Sequence, residues 1–214
     1  MYLNEVALVF YLSCGLIYVI LMTRTKKKGT KSRHNIIKLI LNNWVSQRFS
    51  DHNLALVVQA LRNIIMGNSI FSSGLLILLG ILVGLYESNL FDSETLLFSL
   101  KGLPIGLVKI SFSVILIVFS LFNFILTIRM MNRLTLLFCA FPEKIMPDEI
   151  ENLDIVEDSF KAGYNHLVLG TRGLFYLIPL LSWLIHPILF IVSTIGVTIY
   201  LIFFHDIRSS KSAD

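Results

Sequence analysis

The sequence predicts an all-α integral membrane bundle of about four transmembrane helices with cytoplasmic interfacial helices, built by residues 1–214 as a single domain. Three observations predict it. Hydrophobic residues make up 55% of the chain and charged residues only 15%, far from the balance of a water-soluble domain. The apolar residues gather into long runs instead of recurring at helical or strand period, so lipid is their expected solvent. Lys and Arg concentrate beside these runs, as charges that set topology do.

The first run, Val6–Met22, has about 17 residues and reaches roughly 25 Å at the α-helical rise, a short but sufficient crossing. Glu5 precedes it, while Arg24, Lys26, Lys27, Lys28, Lys31 and Arg33 follow. A cleavable leader carries its positive charge in front, so this order predicts an uncleaved span over 6–22 with its N-terminus outside. Downstream, Ile36–Val45 sets Ile36, Ile37, Leu39, Ile40, Trp44 and Val45 beside Lys38, the pattern of an interfacial helix resting on anionic headgroups.

A second span is expected over 70–86. Leu54–Met66 leads into it, with apolar residues interrupted by Gln59, Arg62 and Asn63, so the helix should begin at the interface and continue inward. Gly80 and Gly84 have the spacing that lets another helix approach closely. The third span, 110–128, lies between Lys109 and Arg129, whose charges are expected at the two interfaces with their stems in lipid.

The last run, 174–204, has about 31 residues and would reach roughly 46 Å as a straight helix, so Pro179 and Pro187 predict a kink. A fifth span would require a split at His186-Pro187. Residues 174–185 are too short to cross alone, so four spans are expected. Loop charge orients them: residues 23–69 carry nine Lys or Arg against one acid, and residues 87–108 carry one Lys against three acids. Segments 23–69 and 129–173 are therefore expected in the cytoplasm and both termini outside, in a multi-pass protein of the cell membrane. Cys14, inside an apolar run, and Cys139, in a cytoplasmic segment, are not expected to pair, and both read as small buried hydrophobes.

Three stretches carry a family likeness. These are Asn43-Trp44-Val45, then Val58-Gln59-Ala60-Leu61-Arg62-Asn63-Ile64-Ile65-Met66, and Leu169-Gly170-Thr171-Arg172-Gly173-Leu174-Phe175-Tyr176 followed by Pro179, Trp183 and Pro187. Together they resemble the membrane family called domain of unknown function 599, from about Trp44 to Asp206, with the first helix contributing little. The chain departs from the family's usual residues at Leu174 and near His186. The resemblance implies a small multispan membrane protein and brings no established activity with it.

Candidate chemistry is confined to polar residues near the cytoplasmic interface. Gln59, Arg62 and Asn63 fall at i, i+3 and i+4, on one helical face. Arg129 ends the third span with Asn123 about two turns inside, and Arg172 opens the fourth with Asn165 about two turns earlier on the same face. One reading converges Arg62, Arg129 and Arg172 on an anionic group, with Gln59, Asn63, Asn123 and Asn165 completing its hydrogen bonds. The competing reading is that the arginines mark the membrane boundary and the amides tie helices together.

Other groups read as structural. Asp154, Glu157 and Asp158 share a face, which reads as the solvated side of a helix and not as a cation site. The five histidines show no metal-ligand spacing, and His186 beside Pro187 reads as a group that satisfies a kinked backbone. No phosphate loop, nucleophile elbow or zinc motif is present, so no catalytic residue, metal or cofactor is expected, and no nucleic-acid partner.

Transport or conduction of a small, anionic solute is the first functional expectation. Four spans enclose a pathway only when subunits associate or helices kink, so a homo-oligomer goes with it. A non-catalytic membrane interaction or lipid-organising protein is the alternative, with anionic lipid headgroups as partners of the basic loop.

Overall fold

The computed structural model describes residues 3–27, 43, 54–87, 104–140 and 149–202. They form five helices: α1 (Leu3–Lys27), α2 (Leu54–Glu87), α3 (Ile105–Ala140), α4 (Glu149–Ile185) and α5 (Pro187–Tyr200). Helices α1 to α4 are each long and apolar enough to cross a membrane, so the chain is an all-α, multi-pass membrane protein. The interfacial helix expected over Ile36–Val45 lies outside the described residues apart from Asn43. Helices extend well past the expected spans: the 36 residues of α3 reach about 54 Å.

Helices in lipid must satisfy their own polar groups. The buried hydroxyls of Ser113, Thr127, Thr194 and Thr198 each donate to the carbonyl four residues back, at 2.9, 2.9, 2.6 and 2.7 Å. Ser13, Ser69, Ser73 and Ser182 do the same on exposed faces. Such bonds let hydroxyl residues ride inside apolar helices at little cost.

The run 174–204 is not one kinked helix. It breaks at His186, which has an extended backbone (φ −157°, ψ 138°) and caps α5 by accepting the Ile188 N–H at its Nδ1, 3.2 Å away. The cause is local: a residue before proline is driven out of the helical region, whereas proline suits the first position of the next helix. Pro179, by contrast, lies within α4. Its missing N–H removes the usual donor to the Phe175 carbonyl, and at the next carbonyl, that of Tyr176, the Tyr11 hydroxyl donates at 3.1 Å.

The chain divides into two compact units. One comprises residues 1–36, 78–118 and 173–214. Its core is Ala7, Leu8 and Tyr11 of α1, Ile105 and Val108 of α3, Leu180 and Trp183 of α4 and Phe190 of α5. Trp183 organises it, stacking on Phe190 with centroids 4.7 Å apart and planes 9° apart while its indole N–H donates to Asn4 Oδ1 at 3.1 Å. Lys109 is expected to extend outward, but its side chain is buried in protein. It is only 5% exposed, with Nζ 5.9 Å from the Trp183 ring centre, and the acidic Glu5 is buried in the same unit. An aromatic face replaces water around the ammonium. Gly80 and Gly84 have open space where a Cβ would stand, so no close helix approach uses them among the described residues.

The other unit comprises residues 37–77 and 119–172. Val57 and Leu61 of α2, Met131, Leu134 and Phe138 of α3, and Val156 and Phe160 of α4 form its core. Along α3 the buried residues Ser120, Phe124, Thr127, Met131, Leu134 and Phe138 alternate steps of four and three, the repeat of a left-handed helix pairing. Glycines of α4 meet this seam: a Cβ on Gly163 would stand 2.7 Å from the Met131 methyl, and one on Gly170 2.9 Å from the Phe124 ring. The two glycines permit the close approach.

Substitution should separate them. Gly163→Ala meets the flexible Met131 methyl and, at 3.1 Å, the Met130 Cβ, which must give by a few tenths of an ångström; a helix-propensity gain of about 1 kcal/mol offsets this, so the melting temperature in bicelles should change little. Gly170→Ala meets ring atoms already stacked on Phe71 and should destabilise by about 1 kcal/mol net. Equal melting temperatures for the two variants would show that this packing is not what holds α3 to α4.

Candidate functional site

All seven residues singled out in the sequence fall in the unit of residues 37–77 and 119–172, and the structure divides them. Gln59, Arg62 and Asn63 are exposed. Val57 and Leu61 define the buried face of α2, and at about 100° per residue the stripe lies roughly half a turn away from it. Arg129 of α3 and Asn165 of α4 are exposed as well, each on the side away from its helix's seam. Only Asn123 and Arg172 are buried, at 4% and 6% exposure. Thus the three arginines do not gather in one buried pocket of this unit.

A different polar group does form. Asn123 Nδ2 donates to the Phe119 carbonyl at 2.8 Å, which orients the amide, and its Oδ1 faces His166 Nδ1 at 3.0 Å. Because Oδ1 only accepts, Nδ1 is the protonated nitrogen in this pair. Thr127 braces the contact, donating to the Asn123 carbonyl at 2.9 Å with the Gly163 carbonyl of α4 at 3.4 Å. The smallness of Gly163 and Gly170 brings α4 near enough for this pairing.

Helix α2 adds to the same level. Phe71 stacks on Phe124 with centroids 5.6 Å apart, and the shared core of Val57, Leu61, Leu134 and Phe138 makes α2 and α3 antiparallel. One turn back along α2 is then level with one turn forward along α3, so Asn68 lies level with Thr127 and Ser72 with Asn123. Asn68 is 2% exposed and Ser120 fully buried. Among the described residues, Asn68 Oδ1, Ser72 Oγ and Ser120 Oγ have no hydrogen-bond partner, although the Asn68 amide nitrogen donates to Ile64. Ser120 thus differs from the buried hydroxyls that bond back along their own helices. Three helices therefore carry amide, hydroxyl and imidazole groups over about two turns of this unit, with the capacity of Asn68, Ser72 and Ser120 partly unspent.

Sequence reasoning named Asn123 but not Asn68, Ser72, Ser120, Thr127 or His166. The signal lay in the seam: Asn123 and Thr127 are one turn apart, and His166 falls between two glycines at heptad spacing. Of the acidic residues, Glu157 and Asp158 pair with Lys161, whose Nζ stands 3.2 and 3.6 Å from them, and Asp158 is exposed; the Asp154 side chain lies outside the described residues. Both cysteines are free, and Cys139 is exposed instead of buried.

Exposure predicts a sharp split among the arginines. Arg62→Ala and Arg129→Ala should change stability by less than about 0.5 kcal/mol, while Arg172→Ala empties buried volume and should cost about 2 kcal/mol or more. Chemical denaturation in mixed micelles measures this, and equal losses at all three would contradict the placement.

Comparison with known proteins gives a family match. The family model described as "Protein of unknown function, DUF599" matches residues 6–211, nearly the whole chain, and the chain belongs to that family. The match includes the first helix, which the sequence resemblance had left out. Neither a curated protein nor a solved structure matches.

Proposed function

We propose that this member of the DUF599 family conducts or transports a small polar solute, and that the layer of Asn68, Ser72, Ser120, Asn123 and His166 is where the solute is handled. The observation that supports the reading is that Asn68 Oδ1, Ser72 Oγ and Ser120 Oγ are buried without protein partners, whereas the hydroxyls of Ser113 and Thr194 bond back to their own helices. Leaving a buried acceptor unmet costs about 1–3 kcal/mol, a cost retained where function requires it. Its acceptors, Asn68 Oδ1 and the second nitrogen of His166, suit a solute that donates hydrogen bonds. This replaces the anion pocket of three arginines as the preferred site. With residues 23–69 in the cytoplasm, the layer lies toward the inner membrane surface, and a homo-oligomer supplies further walls for a path.

Stability and flux should move in opposite directions. Ser120→Ala removes an unmet hydroxyl and should raise the melting temperature by a degree or more, whereas Ser120→Leu and Asn68→Leu should abolish flux. Stopped-flow light scattering on proteoliposomes with glycerol and urea gradients, together with a pyranine assay for protons, reads the flux. Rates equal to protein-free liposomes, or untouched by the two leucine variants, would end the transport reading.

A second reading has its own support. Gln59, Arg62, Asn63, Arg129, Arg133 and Asn165 are all exposed in one unit, a polar and cationic surface suited to anionic headgroups and to a lipid-organising role. Orientation bears on both readings. With Cys14 replaced by Ser, a membrane-impermeant maleimide should label the exposed Cys139 only from the cytoplasmic side. Labelling from outside would reverse the topology.

A further inference from the structure

We infer that α5 is a fifth membrane crossing: it turns back beside α4 and carries the chain to the side of the membrane that holds the basic residues 24–38. Residues 205–214 then lie on the side opposite the start of α1. This holds whether or not a solute is carried.

Two aromatic pairs give the direction of α5, both within the unit of residues 1–36, 78–118 and 173–214. Phe190, near its start, stacks on Trp183 with ring centres 4.7 Å apart, and Tyr200, at its end, has its ring centre 5.2 Å from that of Phe175. Ten residues forward on α5 thus match eight residues back on α4, about 15 Å against about 12 Å. The two helices are antiparallel. A straight continuation of α4 would hold Phe175 and Tyr200 about 37 Å apart, and a helix lying flat on the membrane surface would keep only its first turn near α4. The hinge is His186, whose extended backbone lets Pro187 open a new helix in a new direction.

Helix α1 supplies the reference for side. Trp183 bonds Asn4 near its beginning, whereas the Tyr176 carbonyl, further back on α4, accepts from Tyr11, and the Tyr176 ring has Tyr18 at 5.8 Å. So α1 is also antiparallel to α4, and it is parallel to α5, against which it packs with Tyr11 5.1 Å from Phe190. Since α1 is long and apolar enough to cross and leads to Arg24 and Lys26, α5 runs toward the side of those cations.

The faces of α5 suit lipid. Phe190, Thr194, Thr198 and Leu201 are buried at steps of four, four and three, while Ile188, Val192, Ile195 and Ile199 are exposed at similar steps on another face. Both threonines bond back to their own helix. No charged residue interrupts the 18 residues from Pro187 to Phe204, of which the 14 in α5 account for about 20 Å of a crossing. The next cations, Arg208 and Lys211, fall where the positive-inside rule puts them. Four spans with both termini outside were expected because residues 174–185 are too short to cross alone. Helix α4 begins at Glu149, so the fourth crossing draws on residues before 174 and leaves the second half of the run free to return.

The test labels single cysteines in the full chain with a membrane-impermeant maleimide, with Cys14 and Cys139 replaced by Ser. Ser209→Cys should react from the same side as Ser32→Cys and from the side opposite Ser93→Cys: in intact cells Ser93→Cys alone is labelled, and opening the membrane exposes the other two. Labelling of Ser209→Cys together with Ser93→Cys, or from both sides, overturns the fifth crossing. An epitope tag after Asp214, read by antibody before and after permeabilisation, keeps the test decisive where the Ser209→Cys thiol is unreactive. Antibody binding only after permeabilisation supports the crossing, and binding to intact cells overturns it.

Discussion

A helix in hydrocarbon has no water to complete its hydrogen bonds, and the internal arrangement of this protein follows from that constraint. Hydroxyl side chains of Ser113, Thr127, Thr194 and Thr198 turn back onto their own helices. At Pro179, where the ladder loses a donor, a tyrosine from α1 reaches the neighbouring carbonyl. At His186 the ladder stops, and the imidazole takes the first turn of α5 in hand. The uncommitted atoms of Asn68, Ser72 and Ser120 depart from that habit and call for a role.

The same constraint explains the treatment of charge. Lys109 reads in the sequence as a boundary residue, because a lysine next to an apolar run usually extends to water. Here Trp183 offers its face and Glu5 is buried in the same unit, so the ammonium stays inside. Arg62 and Arg129 follow the ordinary rule and remain outside, while Arg172, flanked by Gly170 and Gly173, is enclosed. Charge next to an apolar run thus marks neither a helix end, since Arg62, Arg129 and Arg172 all lie within their helices, nor the way its side chain turns.

Much of the architecture was legible in the residues. Run length and composition separate four membrane-crossing helices, and the proline rule explains the break at His186, because these depend on local covalent geometry and solvent alone. The site was less legible. Gln59, Arg62 and Asn63 share a face, as their spacing requires, but the direction of that face depends on Val57 and Leu61 finding Met131 and Phe160, contacts between helices far apart in sequence. Likewise Asn123 meets His166 and not Asn165, one residue earlier, since the α4 face that meets α3 is set by Gly163 and Gly170. Spacing from Arg172 singled out Asn165 in the sequence; packing puts His166 at the contact instead.

Gly163 and Gly170 carry one further consequence. They make the distance between two helix axes a tuning parameter for a polar contact that neither glycine touches with a side chain. A methyl group inserted at Gly170 against Phe124 would push the axes apart by a few tenths of an ångström, and the 3.0 Å bond between Asn123 and His166 has little slack to absorb it. Volume in this seam is therefore convertible into imidazole chemistry, and substitutions that look purely steric should be heard first at the histidine.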